Sequence, residues 1–275
     1  MGSAPAGERD LLRVEPAAGG AKPRRLRDIE ASATPRLSSG VPEFDRVLGG
    51  GLVPGSVVLL GGEPGVGKST LLLQLAAGSR GPILYVTGEE SGEQLRLRAE
   101  RLAMVPDDLW VLTETRVEAV VEPWRSAQPA LVLVDSIQTL ATDRVESAPG
   151  SVAQVRESAA LLAATAKAHG TALVLVGHVT KDGALAGPRV LEHLVDVVLA
   201  FEGDRAHAFR ILRAVKNRFG STQEVGVFSM TDSGLDGVAN PSELFLAERR
   251  AGAPGSSIVP LVEGTRPMLV RRAVP

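Results

Sequence analysis

The segment Gly62–Ser69 reads Gly-Glu-Pro-Gly-Val-Gly-Lys-Ser, which matches the G-x-x-x-x-G-K-[ST] spacing of a phosphate-binding loop. The apolar run Val57–Leu60 precedes it, and the helix-like run Leu71–Leu75 follows it. In this context the glycines let backbone N–H groups converge on a phosphate, and the start of the helix directs its positive dipole end at the same anion. The motif therefore predicts a nucleotide-phosphate site between a strand and a helix.

The expected ligands are ATP and Mg²⁺. The predicted nucleotide-binding residues are the loop and the residue after it: Gly62, Glu63, Pro64, Gly65, Val66, Gly67, Lys68, Ser69 and Thr70. Lys68 is expected to reach the β- and γ-phosphates, and Ser69 to give its hydroxyl to Mg²⁺. A second metal ligand belongs on a neighbouring strand, and Asp135 ends the apolar run Leu131–Asp135 as an acid of Walker-B type. ATP is preferred because the sequence contains no N-K-x-D motif to read guanine.

Apolar runs alternate with helical stretches along most of the chain. The predicted strands are Val57–Leu60, Ile83–Thr87, Leu109–Leu112, Leu131–Asp135 and Leu173–Gly177. The predicted helices are Ser69–Ala77, Gly92–Leu102, Val117–Ser126 and Val152–His169. Three later strand-like runs are joined by short turns instead of helices: Val195–Phe201, Ala208–Val215 and Glu224–Met230. The pattern predicts an α/β fold, a mainly parallel twisted sheet flanked by helices on both faces, with an antiparallel extension.

Composition limits the domain count and the class of protein. With 275 residues, 44% of them hydrophobic, the chain suits one large domain, predicted over residues 28–275 after a flexible leader at 1–27. A net charge of −2 leaves a local basic channel open, and the absence of cysteine excludes disulfides and thiolate zinc ligands. No run approaches the length of a membrane span, so we expect a cytoplasmic protein without membrane contact.

Two glutamates follow the predicted strand Ile83–Thr87. Glu89 comes first after the strand and is predicted to orient the attacking water, with Glu90 as a second candidate. The alternative is that both acids cap the helix that follows.

Several segments together resemble the bacterial RadA (Sms) family of recombination and repair ATPases. They are Ser39–Gly51, Gly88–Ser91, Asp135–Thr139, Ala148–Val152, Gly177–Lys181, Val190–His193 and Val215–Gly220, which holds the Lys-Asn-Arg-Phe-Gly signature. The resemblance covers residues 28 to 270. It implies a RecA-like P-loop NTPase core in a hexameric ring that uses ATP for branch migration or helicase-like movement on single-stranded DNA. It also implies roles in homologous recombination and DNA repair, and the recombinase RecA as a partner.

The sequence departs from that family at both ends. The family's N-terminal four-cysteine zinc finger is absent, and its C-terminal Lon-like domain would begin where the sequence stops. The expectation is therefore an isolated ATPase core, whose ring assembly and partner binding are weakened by the missing modules.

Lys216 and Arg218 are two residues apart on a strand-like run, so their side chains are expected on one face. The resemblance implies that both enter the neighbouring subunit's nucleotide site as cationic fingers, or that they act in DNA-coupled movement. The alternative is a pair of solvated cations at a sheet edge.

Loops at the ends of central strands supply the predicted DNA contacts, because the resemblance directs such loops at a ring's channel. The loops are Thr142–Ser151 and Asp182–Arg189, and the candidate cations are Arg144, Arg156, Lys181 and Arg189. Gln138 and His178 are predicted to report the γ-phosphate to these loops, although His178 also fits a hydrogen-bonded core histidine. Two other functions remain open: a KaiC-like autokinase, and an ATP-gated assembly module that hydrolyses little ATP.

Overall fold

A computed structural model of the chain describes residues 25, 27, 35–178, 188–203, 209–240, 242, 256–263 and 266–273. Apart from residues 25 and 27, the predicted leader lies outside these residues, and so does Lys181. The division into a leader and a domain over 28–275 therefore stays a prediction. No helix in the described part of the chain is long and apolar enough to cross a membrane.

The described helices are α1 Pro42–Leu48, α2 Lys68–Gly78, α3 Gly92–Arg101, α4 Val117–Ala127, α5 Val152–His169 and α6 Pro188–Leu191. The described strands are β1 Val57–Gly62, β2 Ile83–Thr87, β3 Leu109–Thr113, β4 Leu131–Asp135, β5 Ala172–His178, β6 Val197–Glu202, β7 Phe209–Asn217, β8 Val225–Thr231, β9 Gly234–Gly237, β10 Ser256–Glu263 and β11 Arg266–Ala273. The four predicted helices are confirmed as α2 to α5, with ends within one residue of those expected.

Nine strands form one sheet in the order β3-β2-β4-β5-β1-β6-β7-β8-β9, and β10 pairs with β11 separately. Pairing is parallel from β3 to β6 and antiparallel from β6 to β9. The predicted α/β class with an antiparallel extension is confirmed. The extension begins at β7, however, since β6 runs parallel to β1 after the chain returns to the start of the sheet.

The hydrophobic core lies on both faces of this sheet. On β1, Val58 and Leu60 pack with buried side chains of α1, α2 and α3. Val57 and Leu59 point to the other face and pack with α4 and α5. Because both faces are covered, the central strands carry apolar residues at successive positions, which explains their continuous apolar runs in the sequence.

The parallel strands bring four chain segments to one edge of the sheet. Gly62 at the end of β1 is in register with His178 at the end of β5, and Thr87 at the end of β2 is in register with Asp135 at the end of β4. The phosphate loop, the glutamate turn and the turn after β4 all begin here. This is the edge at which open parallel sheets bind their ligands.

Candidate nucleotide site

The phosphate loop has glycine where its backbone requires glycine. Gly65 and Gly67 have φ values of 81° and 113°, in the left-handed region that side chains disfavour. Gly62 approaches the neighbouring strand so closely that a Cβ there would lie 2.5 Å from the carbonyl oxygen of Phe201. The helix α2 then begins at Lys68, so that its N-terminus follows the loop without a break.

Lys68 turns back into the loop. Its Nζ donates to the carbonyl oxygens of Gly62 at 2.8 Å and Glu63 at 2.9 Å, and the residue is 4% exposed. Burial lowers the pKa of Lys68, while the negative charges of Asp135 and Glu89 oppose that shift. The ammonium group therefore lies between the loop and the two predicted acids, where the β- and γ-phosphates are expected.

Asp135 is a buried carboxylate with one oxygen in use. The hydroxyl of Tyr85 donates to Oδ2 at 2.9 Å, and burial together with Asp135 raises the pKa of Tyr85, so this hydroxyl keeps its proton. Oδ1 is buried and has no hydrogen-bond partner among the described residues. A free carboxylate oxygen near the first turn of α2, which carries Ser69, fits the oxygen ligands that Mg²⁺ prefers.

Glu89 is held by two side chains from neighbouring strands. The hydroxyl of Ser136 donates to its Oε1 at 2.6 Å, and Nε2 of His178 lies 3.1 Å from the same oxygen. Burial alone raises the pKa of Glu89, but the bonds from Ser136 and His178 and the charge of Lys68 lower it overall. The carboxylate is therefore ionised near neutral pH, as a group that accepts a proton from water must be.

Glu90 is directed away from this cluster. Its Oε2 forms an ion pair with Nη2 of Arg98 on α3, and its backbone N–H donates to Oγ1 of Thr87 at 3.1 Å. Neither glutamate caps α3, because the cap is Ser91, whose side chain accepts from the backbone N–H of Gln94. The geometry thus favours Glu89 over Glu90 for the water and contradicts the cap alternative.

Of the two predicted sensor residues, His178 contacts Glu89, and Gln138 lies near Gly177 on β5. His178 ends β5 with a half-buried ring in contact with Glu89, and its Nδ1 is buried without a partner among the described residues. Gln138 lies in the short 3-10 turn after β4, where its Oε1 is likewise unpartnered in the described part of the chain. His178 is thus a hydrogen-bonded, half-buried histidine, so its sensor role stays a prediction.

Lys216 and Arg218 lie at the opposite end of the strands from the phosphate loop of their own chain. Lys216 pairs with Val198 near the start of β6, whereas Gly62 pairs with Phe201 near its end. Nζ of Lys216 donates to the carbonyl oxygens of Glu192 and Val195, the latter at 2.8 Å. The two cations therefore cannot reach the phosphate loop of their own chain.

A β-bulge directs these two cations to one face. The register between β6 and β7 shifts between Val198 and Leu199, so that Lys216 falls on the face of Val198, toward α5. On the same side, Nη1 of Arg218 lies 3.2 Å from Oδ1 of Asp196, a residue with a 6% exposed side chain. The side chain of Arg218 is 51% exposed.

The predicted DNA cations are only partly within the described residues. Arg144 follows β4, with Nη1 3.6 Å from Oε1 of Glu157, and Arg156 is exposed on α5. Lys181 lies outside the described residues, and of Arg189 only the backbone, in α6, is described. Arg144 therefore contacts α5, the helix that also carries Arg156.

A buried glutamine organises the loop that carries Arg144. Nε2 of Gln154 donates to the carbonyl oxygens of Val145 at 2.8 Å, Ser147 at 3.0 Å and Thr142 at 3.1 Å, while its Oε1 accepts from the backbone N–H of Thr142. Sequence reasoning missed Gln154, and also Tyr85, Ser136 and Asp196. The available signal was a polar residue at a position that the apolar periodicity places in the core.

A phosphate loop after the central strand of a mainly parallel sheet, with acids at the ends of neighbouring strands, defines a RecA-like P-loop NTPase domain. The chain belongs to the AAA domain family, whose model matches residues 22–184. It is similar to the DNA repair protein RadA of several bacteria, which confirms the resemblance drawn from the sequence.

The relatives are longer than this chain. RadA of Halalkalibacterium halodurans is 54% identical over 260 residues, which is 94% of this chain and 57% of that protein. RadA of Pseudomonas aeruginosa is 57% identical over 249 residues, 90% of this chain and 55% of that protein. RadA of Streptococcus pneumoniae is 53% identical over 250 residues, 90% of this chain and 60% of that protein. The chain thus spans little more than half the length of the curated relatives it matches.

Proposed function

We propose that the chain is the ATPase core of a DNA motor of RadA type. It hydrolyses ATP with Mg²⁺, is stimulated by single-stranded DNA, and drives branch migration or helicase-like movement in homologous recombination and DNA repair. The relatives' name, DNA repair protein RadA, supports the repair role. The observation that carries the proposal is the contact between Glu89 and His178. His178 ends β5, and the chain continues from there to Lys181 and the loop Asp182–Arg189, for which DNA contacts are predicted. The contact therefore connects the water-orienting acid with a predicted DNA-binding segment.

The chain's own residues divide the work of hydrolysis. The loop N–H groups and Lys68 bind the phosphates, while Ser69 and Asp135 hold Mg²⁺. Bound Mg²⁺ neutralises the charge of the β- and γ-phosphates. Both Ser136 and His178 contact Oε1 of Glu89, which leaves Oε2 to accept a hydrogen bond from the attacking water. Glu89 then takes the proton that this water loses.

The site is completed by a second copy of the chain. Lys216 and Arg218 lie at the opposite end of the strands from the phosphate loop of their own chain. Residues of the connection between α6 and β6 hold both side chains in place. In a hexameric ring they enter the neighbour's site, where their charge stabilises the transition state. Of the two, Arg218 is the better finger, because half of its side chain is exposed beside its contact with Asp196, whereas the ammonium of Lys216 donates to two backbone carbonyls.

Single-stranded DNA is expected to raise the ATP turnover of the chain, and Lys68→Ala is expected to abolish turnover with or without DNA. The measurement is phosphate release against DNA concentration. Turnover that DNA leaves unchanged argues against the motor. Retention of γ-phosphate label on the protein points to an autokinase, and nucleotide-dependent assembly without phosphate release points to a gated assembly module.

Replacing Arg144 with Gln is expected to weaken binding of single-stranded DNA and to lower the slope of log affinity against log salt by about 0.7, the loss of one phosphate contact. The readout is DNA binding across a salt series. Arg96→Gln is the matched control, because Arg96 also forms an ion pair with a glutamate on its helix, Glu100, and has no proposed DNA role. Equal losses in the two variants contradict a specific contact at Arg144.

A further inference from the structure

The only tyrosine in the sequence, Tyr85, contacts Asp135, the predicted Mg²⁺ ligand. Tyr85 is in the middle of β2, fully buried, and its ring packs in the core between the sheet and α2. It is in register with Leu133 of β4, two residues before Asp135. Its neighbours on β2 are apolar, so a tyrosine in place of leucine or valine introduces a polar atom into the core, and that atom needs a partner.

That partner is the metal-binding candidate. The Tyr85 hydroxyl donates to Oδ2 of Asp135 at 2.9 Å, and no other hydrogen bond to this carboxylate occurs among the described residues. A carboxylate is planar, so holding Oδ2 also fixes the direction of Oδ1. Oδ1 is buried and unpartnered in the part of the chain that the structure describes, and Asp135 interacts electrostatically with Lys68 of the phosphate loop.

A second charged side chain lies near the tyrosine. Arg98 on α3 interacts electrostatically with Tyr85, and its guanidinium is paired with Glu90, with only 16% of the side chain exposed. No hydrogen bond joins Arg98 to Tyr85 among the described residues, so the hydroxyl of Tyr85 bonds to Asp135 alone.

We propose that Tyr85 is a positioning residue for Mg²⁺: its hydroxyl holds the carboxylate of Asp135 so that Oδ1 is directed at the metal. The inference rests on the proposed role of Asp135 as a metal ligand. Tyr85 does not touch the nucleotide or the metal itself. It acts as the outer hydrogen-bond donor that orients a ligating carboxylate, a type of contact whose loss costs about 10- to 100-fold in metal affinity.

The test is nucleotide binding by Tyr85→Phe, with fluorescent ADP titrated at a series of Mg²⁺ concentrations and in EDTA. The Mg²⁺ concentration for half-maximal enhancement of binding is expected to rise about 10- to 100-fold. Affinity for ADP in EDTA is expected to match the parent chain, because the loop and Lys68 are intact. Equal weakening with and without Mg²⁺ means that Tyr85 has a structural role only, and this result overturns the proposal.

Asp135→Asn separates this inference from the proposed function. If Mg²⁺ enhancement survives in Asp135→Asn, the metal role of Asp135 fails. If Asp135→Asn loses enhancement and Tyr85→Phe keeps it in full, the metal site stands and the inference about Tyr85 is wrong. The double variant is expected to be no worse than Asp135→Asn, because removing the hydroxyl matters only through the carboxylate.

A second readout does not depend on any substitution at the site. Since Tyr85 is the only tyrosine, one ¹³C label on the tyrosine ring reports on this hydroxyl alone. Its NMR signal is expected to shift when Mg²⁺ and ADP are added together and to stay in place with ADP in EDTA. A signal that responds equally to both additions contradicts the proposal.

Discussion

ATP turnover is expected to fall by about 100- to 10,000-fold when Glu89 is replaced by Gln, the range that a positioned general base contributes. The amide keeps the shape of the side chain and still accepts the bond from Ser136, but it cannot take a proton from water. Nucleotide affinity should be unchanged, because Lys68 and the loop are intact. The measurements are steady-state phosphate release and nucleotide binding by the same preparation.

Glu90→Gln is the matched control for this prediction. Glu90 is paired with Arg98 on α3 and lies outside the cluster around Lys68, so turnover should stay within a few fold of the parent. A large loss in Glu90→Gln with a small one in Glu89→Gln would reverse the assignment of the two acids.

The pH dependence follows from the same contacts. The bonds from Ser136 and His178 and the charge of Lys68 outweigh burial and hold the pKa of Glu89 below its usual value of 4.5. A lowered pKa means that the carboxylate stays ionised as the pH falls, until the pH reaches that lowered value. The acid limb of the pH–rate profile that Glu89 controls therefore lies below pH 4.5.

Arg218→Ala is expected to lower DNA-stimulated turnover by about 1,000-fold or more, as the loss of an arginine finger does. Nucleotide binding should be unaffected, because Arg218 and the phosphate loop of the same chain lie at opposite ends of the strands. Arg213→Ala is the control: Arg213 lies on β7, the strand that Arg218 directly follows, and its Nε lies 3.4 Å from Oε2 of Glu202, near the other end of β6. Equal losses in both variants indicate damage to β7, not loss of a finger.

Much of the fold could be predicted because its signals are local. The phosphate motif fixes one strand, one loop and the start of α2, and continuous apolar runs identify strands covered on both faces. Strand direction is not local. The run Val195–Phe201 resembles the antiparallel runs after it, and only the return of the chain before β6 makes it parallel to β1.

The site shows the same limit. Glu89 and Asp135 stand out in the sequence because Asp135 ends an apolar run and Glu89 comes two residues after another. The contacts of Ser136 with Glu89 and of Tyr85 with Asp135 depend on the register between β2 and β4, which no local pattern records. The orientation of Lys216 depends on a β-bulge, which reverses the face that simple alternation assigns to it.

The central claim, an ATP site shared by two copies of the chain, is tested most directly by mixing Glu89→Gln with Arg218→Ala. Each variant alone is expected to be nearly inactive with DNA. In an equal mixture, a site with Glu89 from one chain and Arg218 from its neighbour is intact. Random assembly in a symmetric ring makes about a quarter of the sites intact, so about a quarter of the parent turnover should return. Activity no higher than the mean of the two variants measured separately would contradict a shared site.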